Sequence, residues 1–257
     1  MGFLERVIEE KRREVAEKQS ATPIASLEHA ARTTQVRDFR GAIEGGDSII
    51  AELKARTPTI ERFEQSDNLD ALATIYEDNG AAAISIVTDE RNFGTSLDTV
   101  RRVRERVSLP ILVKEFVFDP YQVFEARAAG ADAILLIARM LDWDQLTGLL
   151  DMIHQLGMSA LVETHNGDEM KTALQARAPI VGINNRDLDT MEITLDTTRT
   201  VARIVPDDVV LVAESGIHTR ADIDDLTEYG ADAFLIGGSL LAATNPAEKL
   251  REFTRVV

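Results

Sequence analysis

Residues 130–137 read GADAILLI, residues 230–236 read GADAFLI, and a third version, GAAAISIV, stands at 80–87. In each, a glycine and small residues lead into a run that is apolar throughout but for Ser85 in the third. Such a run, too short for a buried helix and apolar on both faces, is what a parallel strand between a barrel interior and covering helices requires. Gly80 and Gly130 lie 50 residues apart, Gly130 and Gly230 100 apart. These intervals equal two and four units of about 25 residues, one strand and one helix each. The same spacing predicts a strand near residue 180, where IVGI begins at Ile180, approached by Ala178-Pro179.

Working outward, four further runs complete a set of eight: IIAEL from Ile49, ILV from Ile111, ALV from Ala160 and VVLVA from Val209. Helical patterns lie between them, with start signals at Asp119-Pro120 and Asn245-Pro246 and capping-box spacing at Asn166…Glu169 and Thr219…Asp222. Eight alternating units predict an α/β fold, a closed (β/α)8 TIM barrel with an N-terminal helical extension over residues 1–46, the whole of 1–257 forming one domain. The alternative is an open doubly wound sheet. That architecture usually carries a glycine fingerprint after its first strand; here the position reads Glu52-Leu53-Lys54.

The extension begins as an amphipathic helix, with Phe3, Leu4, Val7 and Ile8 on one face and the pairs Glu9–Arg13 and Glu14–Lys18 on the other. Its mixed charges do not make a signal peptide, and no segment reaches the ~20 apolar residues of a membrane span. A cytoplasmic protein is expected. With 28 basic and 44 acidic residues the net charge is −16. That disfavours nucleic acid as a partner, because a phosphate-backbone binder needs a basic face. The absence of cysteine excludes disulfides, thiolate zinc sites and a cysteine nucleophile.

In a (β/α)8 barrel the chemistry sits where strands end. Strand 1 ends in Glu52 and Lys54, strand 3 in Lys114, Glu115 and Phe116, and strand 5 in Glu163. Strand 6 ends in Asn184, Asn185 and Arg186, and strand 7 in Glu214 and Ser215. Two lysines and three carboxylates at one mouth can shift one another's pKa values apart, which is the raw material of acid–base catalysis. Ser215-Gly216 and Gly237-Gly238-Ser239, after strands 7 and 8, suit a phosphate held by backbone amides. His29, His154, His165 and His218 lack metal-ligand spacing, so no metal or cofactor is called for. His165 reads as a solvated loop histidine, and Trp143 as packing at the start of the fourth barrel helix. Leu146, Leu149, Leu150, Ile153 and Leu156 read as the core face of that helix.

Taken in order, IIAELK (Ile49 to Lys54), SIVTDERNFGTS (Ser85 to Ser96), LVKEF (Leu112 to Phe116), YQVFEARAAGADAILLI (Tyr121 to Ile137), LGMSALVETH (Leu156 to His165), GINNRDL (Gly182 to Leu188) and LVAESGI (Leu211 to Ile217) resemble the indole-3-glycerol phosphate synthase family over nearly the whole chain. The resemblance implies ring closure, decarboxylation and dehydration of 1-(o-carboxyphenylamino)-1-deoxyribulose 5-phosphate. It implies Lys114 as general acid and Lys54 as partner of the substrate carboxylate. Glu163 and Glu52 fall to the dehydration, Asn184 to the reacting hydroxyls, and Glu214 to the lining of the site. Phe93 and Phe116 match the aromatics around the anthranilate ring, Thr57, Ser215, Gly216, Gly237 and Gly238 the phosphate ligands.

The sequence departs from the family pattern at Thr57-Pro58-Thr59-Ile60-Glu61, which lacks a usual glycine and basic residue, and at Glu115, where aspartate is usual. Two other readings stay open at this stage: a Schiff-base aldolase using Lys114, and a non-catalytic phosphate-binding barrel. On any of them the ligand is a small phosphorylated molecule. The acidic shell is then expected to surround a locally cationic mouth made by Lys54, Lys114, Arg186 and backbone amides. A monomer is expected.

Overall fold

The computed structural model describes residues 3–255, with side chains from residue 6 onward. Its strands are β1 Ser48–Leu53, β2 Ala83–Val87, β3 Ile111–Lys114, β4 Ala133–Ile137, β5 Ser159–Thr164, β6 Ile180–Asn184, β7 Val210–Glu214 and β8 Ala233–Ile236. They close into a parallel barrel in chain order, β8 pairing back with β1. All eight expected runs are strands. Helices α1 Phe3–Ala21, α2 Ile24–Thr33 and α3 Phe39–Ile43 precede the barrel. Helices α4 Leu69–Asp78, α5 Glu90–Phe93, α6 Leu97–Arg106, α7 Pro120–Ala129 and α8 Trp143–Gln155 follow in its first half. The second half carries α9 Gly167–Gln175, α10 Asp196–Val201, α11 Arg220–Glu228, α12 Gly238–Leu241 and α13 Pro246–Thr254.

The apolar runs divide by parity. Ile49, Ala51 and Leu53 of β1 pack outward under the helices, while Ile50 joins Leu112, Leu135, Leu161, Ile180, Val212 and Leu235 inside the barrel. Phe39 and Ile43 of α3 belong to that inner cluster, packed with it at the foot of the barrel. Helix α1 lies against the outside, with Val7, Lys11 and Val15 buried along one side. The side chains of Phe3 and Leu4, expected on that face, lie outside the described residues. The Glu9–Arg13 pair forms on the exposed side, whereas Lys18 bonds both Glu14 (2.9 Å) and Glu125 of α7 (3.3 Å), against the barrel wall.

The aspartate of the repeated Gly-Ala-Asp-Ala stretch has a task at the foot of the sheet. Asp132 donates its N–H to Ile111 O and accepts Ile111 N–H on its carboxylate, each at 2.9 Å. Asp232 does the same with Leu211, at 2.9 and 2.8 Å. Their carbonyls receive the first N–H of the next strand, Ser159 (3.0 Å) for Asp132 and Ser48 (3.3 Å) for Asp232. One residue thereby satisfies backbone groups at the foot of the two strands that flank its own.

The helix starts mostly follow the sequence signals. Asp119 and Thr219 make reciprocal capping boxes with Gln122 and Asp222, and Asn245 caps α13 ahead of Pro246. At α9 the box is half built. Asn166 accepts from Asp168 N and Glu169 N, but the Glu169 carboxylate takes the Asn166 side-chain amide (2.7 Å) on one oxygen and His165 on the other rather than the Asn166 backbone N–H. Trp143 is a correction: it is the first residue of α8 and 49% exposed, in a first turn that faces solvent throughout. No helix among the described residues is long and apolar enough to cross a membrane.

Candidate active site

Strand parity brings the polar residues together. Inward positions recur every second residue. Above the apolar interior therefore stand Glu52 over Ile50, Lys114 over Leu112, Glu163 over Leu161, Asn184 two places beyond Gly182, and Glu214 over Val212. All are buried except Lys114, whose side chain is 19% exposed at the centre of the group.

Lys114 is the hub. Its Nζ donates to Glu163 Oε2 at 2.8 Å and to Glu214 Oε2 at 2.9 Å. Burial works to discharge this ammonium, but attraction from Glu163, Glu214 and Glu52 prevails and holds it charged well above the ordinary lysine range. Two carboxyl groups on one ammonium cannot both ionise cheaply. Burial and the neighbouring Glu163 charge push Glu214 far up, against the pull of Lys114. Burial also acts to raise Glu163, but Lys114 and His165 outweigh it and hold Glu163 ionised below the usual carboxylate range. The three groups thus hold an ammonium, a carboxylate and a carboxylic acid in direct contact. Beside them Lys54 Nζ donates to Glu52 Oε1.

Two glycines make room for this cluster. A Cβ on Gly182 of β6 would stand 2.4 Å from Glu214 Oε1, and one on Gly237 would stand 2.3 Å from Glu52 Oε1. Gly182 escapes a reading of strand ends because it is a mid-strand residue, and Gly237 reads as part of a phosphate loop. Their shared role is visible only across strands.

His165 corrects the expectation of a solvated loop residue. Its side chain is 5% exposed. Its backbone N–H and its Nδ1 both meet Glu169 Oε2, at 2.8 and 3.0 Å, and its Nε2 lies 3.4 Å from Glu163 Oε1. The ring is held between two carboxylates, Glu169 at Nδ1 and Glu163 facing Nε2, instead of extending into solvent.

The two asparagines ending β6 differ in task. Asn184 faces the mouth and accepts from Arg186 N at 3.0 Å. Asn185 is a clasp: its Oδ1 accepts from Thr198 N (3.1 Å) and Thr198 Oγ1 (2.8 Å), and its Nδ2 donates to Ser215 O (3.1 Å). Ser215 and Gly216, both with left-handed backbone, are so fixed at the end of β7. The neighbouring loop is tied to them by Ser239, whose hydroxyl donates to Ile217 O at 2.5 Å and meets His218 Nδ1 at 3.0 Å. Gly237 and Gly238 open α12, with open space around Gly238. Thr57 turns its hydroxyl into its own loop, accepting from Ile60 N at 2.9 Å.

Phe116 packs over the inner cluster with Met140. Phe93 is half-buried, and its carbonyl accepts from Ala55 N (2.9 Å) and Arg56 N (3.0 Å), joining the loops after β1 and β2. The guanidinium of Arg186 forms no hydrogen bond with the described residues. The expected cationic mouth rests on fewer free charges than its residues suggest. Lys54 and Lys114 are each neutralised by a carboxylate at hydrogen-bond distance, so the mouth is close to balanced and Arg186 is its unpaired cation among the described residues. A lysine held charged in this way is the opposite of the neutral amine a Schiff base needs, which removes the ground for the aldolase reading.

Residues 4–253 match the model of the family described as indole-3-glycerol phosphate synthase. Curated proteins of that name resemble the chain closely. One from Dehalococcoides mccartyi (strain CBDB1) is 40% identical over 256 residues, covering 97% of this chain and 99% of its own. Another, from Burkholderia vietnamiensis (strain G4 / LMG 22486), is 41% identical over 257 residues, covering 96% and 97%. Among solved structures, N-acetylmannosamine-6-phosphate 2-epimerase from Clostridium perfringens superposes with a TM-score of 0.63 at 16% identity. It covers 88% of this chain and all of its own, a likeness of fold.

Proposed function

The chain belongs to the indole-3-glycerol phosphate synthase family, and from that premise we propose how its residues divide the chemistry. The enzyme is a carboxy-lyase. It closes the indole ring of 1-(o-carboxyphenylamino)-1-deoxyribulose 5-phosphate, a phosphorylated small molecule, with loss of carbon dioxide and then of water.

Ring closure places negative charge on the ketone oxygen as the aromatic carbon attacks. Lys114 gives that oxygen its proton, and Lys54 holds the carboxylate about to leave as carbon dioxide. An ammonium between two carboxyl groups is a weak acid in the empty site. Substrate that draws it away from Glu163 or Glu214 makes it a stronger one. Dehydration then needs a base and an acid. Glu163, held ionised, is the base, and the Glu52–Lys54 pair supplies the acid. Asn184 orients the reacting hydroxyls, Glu214 keeps Lys114 in place, and Phe93 and Phe116 stack on the anthranilate ring. Arg186 meets the anionic substrate at the mouth. Thr57, Ser215, Gly216, Gly237 and Gly238 receive the phosphate.

The observation carrying this division is the Lys114 ammonium between Glu163 and Glu214. It is tested by following indole absorbance or fluorescence in parent and Lys114→Ala. The expected loss is about 100-fold or more, the scale of one general acid; full activity in the variant overturns the assignment. We further infer that residues 1–46 and the barrel act as one domain, in a cytoplasmic monomer with neither nucleic acid nor membrane as partner. The support for one domain is that Phe39 and Ile43 of the extension pack within the inner cluster of the barrel. Light scattering at working concentration tests the monomer.

A further inference from the structure

We propose that His165, as an imidazolium, is a positioning residue that holds the second oxygen of Glu163 while Lys114 serves the substrate. The inference rests on Glu163 acting as the base of dehydration.

Glu163 has two oxygens and two cationic neighbours. Oε2 receives Lys114 Nζ at 2.8 Å, and Oε1 faces His165 Nε2 at 3.4 Å. When Lys114 turns to the ketone, Glu163 loses its closest partner, and a buried carboxylate left alone drifts or takes up a proton. His165 stands on the other side. Its Nδ1 faces only the Glu169 carboxylate, an acceptor, so the ring carries a proton there. Nε2 is buried, makes no hydrogen bond, and points at a second carboxylate. A lone pair on Nε2 would repel that oxygen, whereas a second N–H satisfies both. Of the charged groups around the ring, Glu169 on α9 and Glu163 on β5 favour the imidazolium, and Arg139, after β4, opposes it. Burial also opposes it, yet the carboxylates prevail and hold His165 above the ordinary histidine range. Stitching β5 to α9 would not require this nitrogen, because the backbone N–H of His165 already reaches Glu169.

Coupling of two titrating groups is reciprocal, so its strength can be read at His165, where the titration is accessible. The experiment is a pH titration of the 15N-labelled imidazole by NMR in the parent and in Glu163→Gln, with steady-state kinetics of His165→Asn. Asparagine keeps a donor toward Glu169 and has none at the Nε2 position. Removing the Glu163 charge is expected to lower the His165 pKa by about one pH unit. His165→Asn is expected to lose about tenfold in kcat with KM and melting temperature nearly unchanged, one pH unit of coupling being a factor of ten. A His165 pKa unmoved by Glu163→Gln, or parental kcat in His165→Asn, overturns the proposal. Full activity in Glu163→Gln sinks the base assignment first and the role of His165 with it. An inactive Glu163→Gln with an unmoved His165 sinks the inference alone.

Discussion

Glu163 and Glu214 share one ammonium at almost equal distance, yet they hold different charges because only Glu163 has a second cation behind it. That asymmetry predicts a pH dependence. Glu214 is pushed up to about 8, so it is neutral below that pH and anionic above it. As pH rises through this value the new charge binds the Lys114 proton more tightly, and kcat is expected to fall. Glu214→Gln, fixed in the neutral form, should lose that alkaline limb; a limb kept intact assigns it to another group. Gly182 gives the steric counterpart. In Gly182→Ala the new Cβ must displace the Glu214 carboxyl from a position 2.4 Å away. A displacement of about 1 Å can cost about 100-fold in rate, and the variant should melt as a folded protein while kinetics record the loss. The acids and lysines of this site were legible in the sequence because each ends an apolar run. Their charge states, and the glycines that admit them, depend on neighbours across strands and were not.

At the level of elements, the strands and most helix starts could be read from local pattern, since parity and caps act over a few residues. Helix α1 shows where that reading stops. Lys11 looks like one of many solvated charges, but it is buried, bonding Glu14 (2.8 Å) and Glu115 (3.1 Å) and lying 3.7 Å from Asp89. Burial works against its charge, and Glu115, Glu14 and Asp89 more than restore it. Two of those partners lie far along the chain, which no periodicity reports. Lys11→Met leaves buried carboxylates without their cation and should cost about 3 kcal/mol, seen as a lower urea midpoint at unchanged slope. Asn185 behaves likewise. Beside Asn184 it looks like a second ligand, whereas its side chain makes two hydrogen bonds to Thr198 of α10 and one to Ser215 in the loop after β7, tying the two together. Asn185→Ala should therefore lower the melting temperature more than a surface change does, about 1–3 kcal/mol for the orphaned groups.

Over the whole molecule, a net charge of −16 meets a substrate that is itself an anion. With the mouth nearly balanced, the long-range field repels that substrate until it is close. Salt screens such a field over about 10 Å at 0.1 M. Raising ionic strength from a few millimolar should then increase kcat/KM and leave kcat unchanged; a kcat/KM that falls with salt would place a stronger cationic patch at the entrance. The closure of the barrel has a consequence of its own. Asp232 holds the start of β1 with the same backbone acceptor that Asp132 offers to β5, one hundred residues earlier. In its hydrogen bonding the sheet is a ring, and a ring has no first strand. The order in which the chain visits its strands is one of several cyclic permutations that the same contacts would hold.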